Sequence, residues 1–177
     1  VQQWRSAGLD LSVAVNLSPA QLRHSQFLPT IGDALAAAGL EPARLELEIT
    51  EGVLLSNDEH VHTMIDSLKK IGVKLALDDF GTGYSSLSYL HRVRFDRLKI
   101  DRSIVNESTM SPEKSVVTQA IIAMAHGLKL DVVAEGVETA EQRSLLEAQG
   151  CDQIQGFLVA EPITGDELAS RLRQRTV

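Results

Sequence analysis

Short runs in which apolar and polar residues alternate are separated along this chain by longer stretches in which apolar residues recur every three or four positions. The alternating runs are Leu11–Asn16, Arg44–Thr50, Lys74–Asp79, Arg97–Asp101, Asp131–Glu135 and Gln153–Phe157, and each reads as a strand. Helical spacing covers Val1–Gly8, a long stretch from Pro19 to Gly39, a face made by Val61, Ile65 and Leu68 with Gly72 as its stop, Glu113–Leu128, Thr139–Gln149 and Asp166–Arg175. A short helix is expected over Tyr84–Leu90. Strict alternation of strand and helix with short connections predicts a parallel α/β fold of about six strand–helix units, either a doubly wound sheet or a barrel.

The two faces of each strand decide between these. Leu45, Leu47 and Ile49 oppose Glu46, Glu48 and Thr50; Leu75 and Leu77 oppose Ala76 and Asp78; Leu98 and Ile100 oppose Lys99 and Asp101. An open doubly wound sheet has helices on both faces and needs both apolar, whereas a barrel can gather polar groups at its inner mouth. The expectation is therefore a (β/α)8-type TIM barrel. Eight strands and about 250 residues are usual for that fold. The first residue is Val1 and six strands are visible, so residues 1–177 read as its C-terminal three quarters, with two strands expected upstream.

In that barrel the inner mouth collects Asn16, Glu48, Asp78, Lys99, Glu135 and Gln155, one from each strand, with Asp79, Glu51 and Glu138 on the loops just beyond. Like charges about 4 Å apart repel by roughly 4 kcal/mol at an effective dielectric near 20, so adjacent Asp78 and Asp79 need a proton, a basic partner or a metal ion. Oxygen ligands without thiolate or imidazole point to Mg²⁺ or Mn²⁺. Carboxylates shared between neighbours suit two ions about 3.5–4 Å apart, an arrangement that serves phosphodiester hydrolysis. Lys99 would offset the remaining charge or orient the water.

Composition narrows the partners. A formal charge of −7 and a pI near 5.2 argue against nucleic-acid binding through a general basic surface. The single Cys151 forms no internal disulfide, and no apolar run approaches the roughly 20 residues that span a bilayer, so a reducing cytoplasmic setting is expected.

Asn16-Leu-Ser, Glu48-Ile-Thr-Glu51, Asp78-Asp-Phe-Gly-Thr-Gly83-Tyr-Ser-Ser-Leu87, Leu98-Lys-Ile-Asp101, Ala134-Glu-Gly-Val-Glu138-Thr and Gln155-Gly156 together resemble, in order, the motifs of the EAL-domain phosphodiesterases of bacterial cyclic di-GMP signalling. The resemblance implies Mg²⁺- or Mn²⁺-dependent hydrolysis of cyclic di-GMP to linear pGpG. It implies metal ligation by Asn16, Glu48 and Asp78, with Asp78 bridging to a second ion and Asp79 contributing there, and a water-handling role for Lys99 and Glu135. Glu51 resembles the anchor of the Asp-Phe-Gly-Thr-Gly loop, and Glu138 and Gln155 resemble supporting or substrate-side positions. That loop and the helix after it resemble the family's dimer surface, and sensory or GGDEF-type domains fused to this one are implied. The Glu-Ala-Leu strand that names the family is absent from this chain, and Glu161-Pro162 stands where many relatives have a basic residue before the proline. The rival function is a receptor that binds cyclic di-GMP without cleaving it, or a regulatory interaction module. With the Glu-Ala-Leu strand missing, residues 1–177 alone are expected to be inactive.

Other readings of the same residues stand beside these. Asp78 and Asp79 suit a turn cap, Lys99 a structural ion pair, and Glu51 and Glu138 helix-dipole partners. Glu46, one layer below Glu48, suits either a buried pair with Lys99 or an edge position. His60 and His62 read as solvated surface, and His24, His91 and His126 have no partner in sequence. Cys151 reads as a small buried residue, and the stripe Val116–Met124 as core packing or a dimer interface.

Overall fold

The structure is a computed structural model, and it describes residues 1–6, 8–54, 58–83, 90 and 93–175. Six strands, β1 (Val13–Asn16), β2 (Leu45–Thr50), β3 (Lys74–Phe80), β4 (Arg97–Ile100), β5 (Asp131–Ala134) and β6 (Gln153–Ile154), form one sheet. Every neighbouring pair is parallel and the spatial order is the chain order. A doubly wound sheet reverses its order at a switch point, and this one never does. The sheet is a curled part-barrel: side chains of β1 reach β3 and those of β2 reach β4, across a gap of nearly 10 Å in a flat sheet.

The outward face of the strands is the core. Leu47, Ile49, Leu75, Leu77, Leu98, Ile100 and Val132 are at most 1% exposed and pack against Leu22, Ile65, Leu68, Ile122 and Leu146. These come from α2 (Pro19–Arg23), α5 (Glu59–Lys70), α7 (Pro112–Gly127) and α8 (Ala140–Ala148). Burial of such side chains contributes about 1.5–3 kcal/mol each, which pins every strand with its other face inward. The remaining α-helices given bounds among the described residues are α1 (Gln2–Ser6), α3 (Phe27–Ala38), α4 (Glu51–Leu54), α6 (Arg102–Ser108) and α9 (Gly165–Arg175). No helix among the described residues is long and apolar enough to cross a membrane.

Three expectations change. The single helix expected from Pro19 to Gly39 is two, because Pro29 has no N–H to donate and its ring would strike the carbonyl of Ser25; the chain instead becomes extended at His24 and restarts at Phe27 with Pro29 in the first turn. Helix α6, started by the Asp101 side chain accepting from the Ser103 N–H, was not expected at all. Strand β6 stops at Ile154 rather than Phe157, because Gly156 lies so close to the Val137 backbone that a Cβ would overlap it, and the chain turns away there. The helix expected over Tyr84–Leu90 and the position of His91 fall outside the described residues, Leu90 excepted.

Candidate functional site

Lys99 is the centre of the inner mouth. It is 5% exposed, and its Nζ lies 2.8 Å from Glu48 Oε1, 3.0 Å from Asp78 Oδ1 and 2.7 Å from Glu135 Oε1. Burial alone would lower its pKa, but the three carboxylates outweigh that and hold it well above the ordinary lysine value. The lysine is therefore a fixed cation. Glu135 titrates above the usual carboxylate range because burial and the charges of Asp78 and Glu48 together outweigh its bond to Lys99.

Barrel stagger sets these pairings. Register aligns Glu48 with Ala76 and Ala76 with Arg97, yet Glu48 meets Lys99 and Glu46 meets Arg97, at 3.0 Å, each two residues further along β4. Inward side chains of alternate strands thus meet in layers, as tilt and shear require. Ala76, fully buried between them, is small enough for both pairs to cross above it. Glu46 accordingly pairs with Arg97 one layer down and not with Lys99. Arg97 was overlooked as its partner, although its period-two spacing from Lys99 marks it as inward-facing.

Adjacent strand residues ordinarily point to opposite faces, yet Asp78 and Asp79 serve the same mouth. The β3–β4 register shifts between Leu77 and Phe80, and Asp79 has a left-handed φ of 55°. The bulge and that turn bring one oxygen from each of Asp78, Asp79 and Glu135 within 4.8 Å of one another. Burial, then the charges of Asp78 and Asp101, push the Asp79 carboxyl above its ordinary range.

From the other side, the Asn16 amide head lies 3.1 Å from Asp78 Oδ2 and 3.2 Å from Glu48 Oε2. With its nitrogen turned inward it donates to both. Glu51, the first residue of α4, is 7% exposed, neither of its oxygens has a hydrogen bond among the described residues, and a Cβ on Gly83 would sit 3.5 Å from its Oε2. It therefore lies against Gly83 of the glycine loop, and among the described residues no ion pair joins it to Lys99. Gln155 lines a cavity of about 370 Å³ with Glu46, Glu48, Arg97 and Lys99. Glu138 is exposed, and among the described residues no ion pair joins it to the cluster.

Four acids and one lysine leave this mouth with a net charge near −3, a surplus of hard oxygen donors around a buried cation. The EAL domain family model matches residues 1–162. The chain belongs to the EAL domain family. This EAL domain is 43% identical over 163 residues to the cyclic di-GMP phosphodiesterase NbdA of Pseudomonas aeruginosa, covering 92% of this chain and 21% of that protein. Among solved structures it matches the EAL domain of Mycobacterium smegmatis DcpA with a TM-score of 0.91 at 39% identity, covering 98% of this chain and 78% of that one. The cyclic di-GMP complex of the PaMucR phosphodiesterase superposes with a TM-score of 0.89 at 39% identity, covering 94% and 68%. The EAL domain spans between 20% and 28% of the length of the first curated relatives that it matches.

Away from the mouth, His126 does have a partner, Asp152, at 2.8 Å. Cys151 is half-buried, with its Sγ 3.2 Å from the Gln153 carbonyl oxygen, and burial pushes its thiol upward. His60 is exposed as expected.

Proposed function

We propose that the full-length protein carrying this EAL domain hydrolyses one phosphodiester of cyclic di-GMP to linear pGpG in bacterial second-messenger signalling, using Mg²⁺ or Mn²⁺ at the mouth of the barrel. The observation that carries this reading is the convergence of Glu48, Asp78 and Glu135 on a single lysine, with an Asp79 oxygen within 4.8 Å of oxygens of Asp78 and Glu135. The donor set fits a hard divalent cation: all its atoms are oxygens, one from each of Asp78, Asp79 and Glu135 lies within 4.8 Å of the others, and an Asn16 oxygen turned inward would face the carboxylates of Asp78 and Glu48.

Asn16, Glu48 and Asp78 would hold one ion, and Asp78 and Asp79 a second. Such ions supply Lewis-acid activation of water and neutralise charge on the scissile phosphodiester. Lys99, held charged by its three carboxylates, orients the attacking water and offsets negative charge as the substrate's phosphates approach. Glu135 Oε1 accepts the proton from that water, a task suited to a carboxyl whose affinity for protons burial has raised. Glu51 anchors the glycine loop, Gln155 lies towards the substrate, and Glu138 supports the loop after Glu135.

Two further strands between β6 and β1 complete the barrel in this reading. Exposed Val15, Phe157 and Val159 at those edges support it, since they would then be covered. An apolar face with Met110, Val116 and Val117 exposed supports a homodimer. Fusion to other signalling domains, a GGDEF-type domain among them, accords with the small share of its relatives that the chain spans. A cytoplasmic site of action suits the single reduced cysteine.

The test is hydrolysis by the full-length protein, with products separated by chromatography. Asp78→Asn should lower turnover by about a hundredfold or more, on the scale of removing one group that stabilises charge in the transition state. Unimpaired cleavage by that variant would remove Asp78 from the mechanism.

A further inference from the structure

The residues that follow Lys99 and Glu135 leave adjacent strands for different helices. The last ladder bond between them is Glu135 N–H to the Ile100 carbonyl, at 3.0 Å. Beyond it, Val137 donates to the Gln155 carbonyl and accepts from the Leu158 N–H, both at 3.0 Å, so what remains to be held is the stretch 138–139 that leads into α8. A capping box at the start of α8 needs only that Thr139 Oγ1 accept from the Gln142 N–H and that the Gln142 side chain accept from the Thr139 N–H. Gln142 does more. Its Oε1 also accepts from the Glu138 N–H at 2.8 Å, and its Nε2 donates to Asn106 Oδ1 on α6 at 2.9 Å.

This bridge joins two residues 36 positions apart, and Gln142 is only 5% exposed. Glutamate would serve the capping box as well, so it is the amide nitrogen that reaches the neighbouring helix. A second contact links the same segments: Gly136, at φ 65°, lies so tightly on Arg102 that a Cβ there would overlap the Arg102 Cβ. The connection closes a ring, from Lys99 through Asp101 and α6 to Asn106, across to Gln142, back along the loop to Glu135, and by ion pair to Lys99.

We infer that the Asn106–Gln142 amide bridge is a positioning device that holds the Glu135 loop against α6 and so sets Glu135 at its distance from Lys99. The kinetic part of this inference rests on the hydrolytic reading above. Neither residue touches the reacting atoms. Misplacement of a reacting group by about 1 Å can cost about a hundredfold, so a loosened loop should act on turnover more than on substrate binding.

The chemistry of the pair supplies its own test in the full-length protein. Asn106→Asp keeps an acceptor for Gln142, and Gln142→Glu keeps an acceptor to which a turned Asn106 amide can donate, but the double variant sets two carboxylates against each other. Amide exchange, read by mass spectrometry, should show Glu138 and Thr139 within about twofold of wild type in each single variant. It should show them at least about tenfold faster in the double variant and in Asn106→Leu, with residues 143–148 protected throughout as the control for folding. Turnover of cyclic di-GMP should fall about tenfold in the same two variants, with KM within about twofold. Unchanged exchange at 138–139 in both broken variants, additive effects of the two single changes, or a loss confined to KM would overturn the bridge. A wild-type protein that leaves cyclic di-GMP intact would instead overturn the hydrolytic reading, and the exchange pattern would still decide the bridge.

Discussion

The two ends of this sheet treat their acids in opposite ways. At the floor the acids find bases and N–H groups of the protein itself. Asp96, just before β4, accepts from Lys69 Nζ at 2.7 Å and from the Leu75 N–H at 2.8 Å. Asp152, just before β6, repeats the device with His126 and the Val132 N–H, both at 2.8 Å. In each case the base comes from the last turn of the helix before the strand alongside, and the N–H from the second residue of that strand. Glu46 pairs with Arg97, whose guanidinium also reaches Asp131 at 3.7 Å. At the mouth Glu48, Asp78 and Glu135 share Lys99, and Asp79 adds to the surplus. The floor is neutralised by the protein, whereas the mouth is poised for a cation from outside. That division matches barrels in general, with stability at the N-terminal ends of the strands and chemistry at the C-terminal ends.

The strongest way to break the comparison is to remove the shared cation. Lys99→Met leaves three converging carboxylates without their counter-charge, and stripping one partner from a buried pair costs about 3–5 kcal/mol. In urea unfolding without metal the loss should be of that size, and Mg²⁺ or Mn²⁺ should restore part of it. Loss of less than about 1 kcal/mol would mean that the mouth does not depend on its lysine.

At the floor, Asp152 tests the matched design through pH. Burial acts to raise its pKa, but the bonds from His126 and the Val132 N–H outweigh this and hold the carboxyl below its ordinary range. A depressed carboxyl stabilises the fold above its unfolded pKa, and that contribution is lost as pH falls through the folded value. Wild type should therefore melt above Asp152→Asn near neutrality, and the gap should close on acidification below about pH 4. A gap independent of pH would assign the effect to packing.

The smallest effect has the opposite sign. The raised Asp79 carboxyl favours the protonated form in the fold, so without metal its charge is destabilising above the ordinary aspartate range. Asp79→Asn removes that charge and suits the left-handed backbone at this position. Because the group is only partly buried and water screens its charge, the metal-free melting temperature should rise by only about a degree or two, and Mg²⁺ should erase the gain. A lower melting temperature in the variant would place Asp79 with the matched acids of the floor.

Much of this contrast was legible in the chain. Period-two alternation with acids at the last inward positions is enough to aim Glu48, Asp78, Lys99 and Glu135 into one basin, because pleating and a buried outer face leave each side chain one direction. The pairing of Glu46 was not legible, since it depends on a two-residue stagger between strands that no single strand encodes. The convergence of Asp78 and Asp79 depends on a bulge, and the crossing from Gln142 to Asn106 on which helices become neighbours. Pro29 was a local signal that outweighed the helical spacing around it.

The sequence by itself determined which residues line the inside of the sheet, that they are acids around one lysine, and that six strands run in parallel, because these follow from periodicities of two and near four within each segment. Only the tertiary structure decided which acid meets which base, how the 136–139 loop is tied down, and how the neighbours Asp78 and Asp79 come to face one basin. Those distances are set by tilt, stagger and helix contact, which are properties of the closed sheet and not of any stretch of the chain.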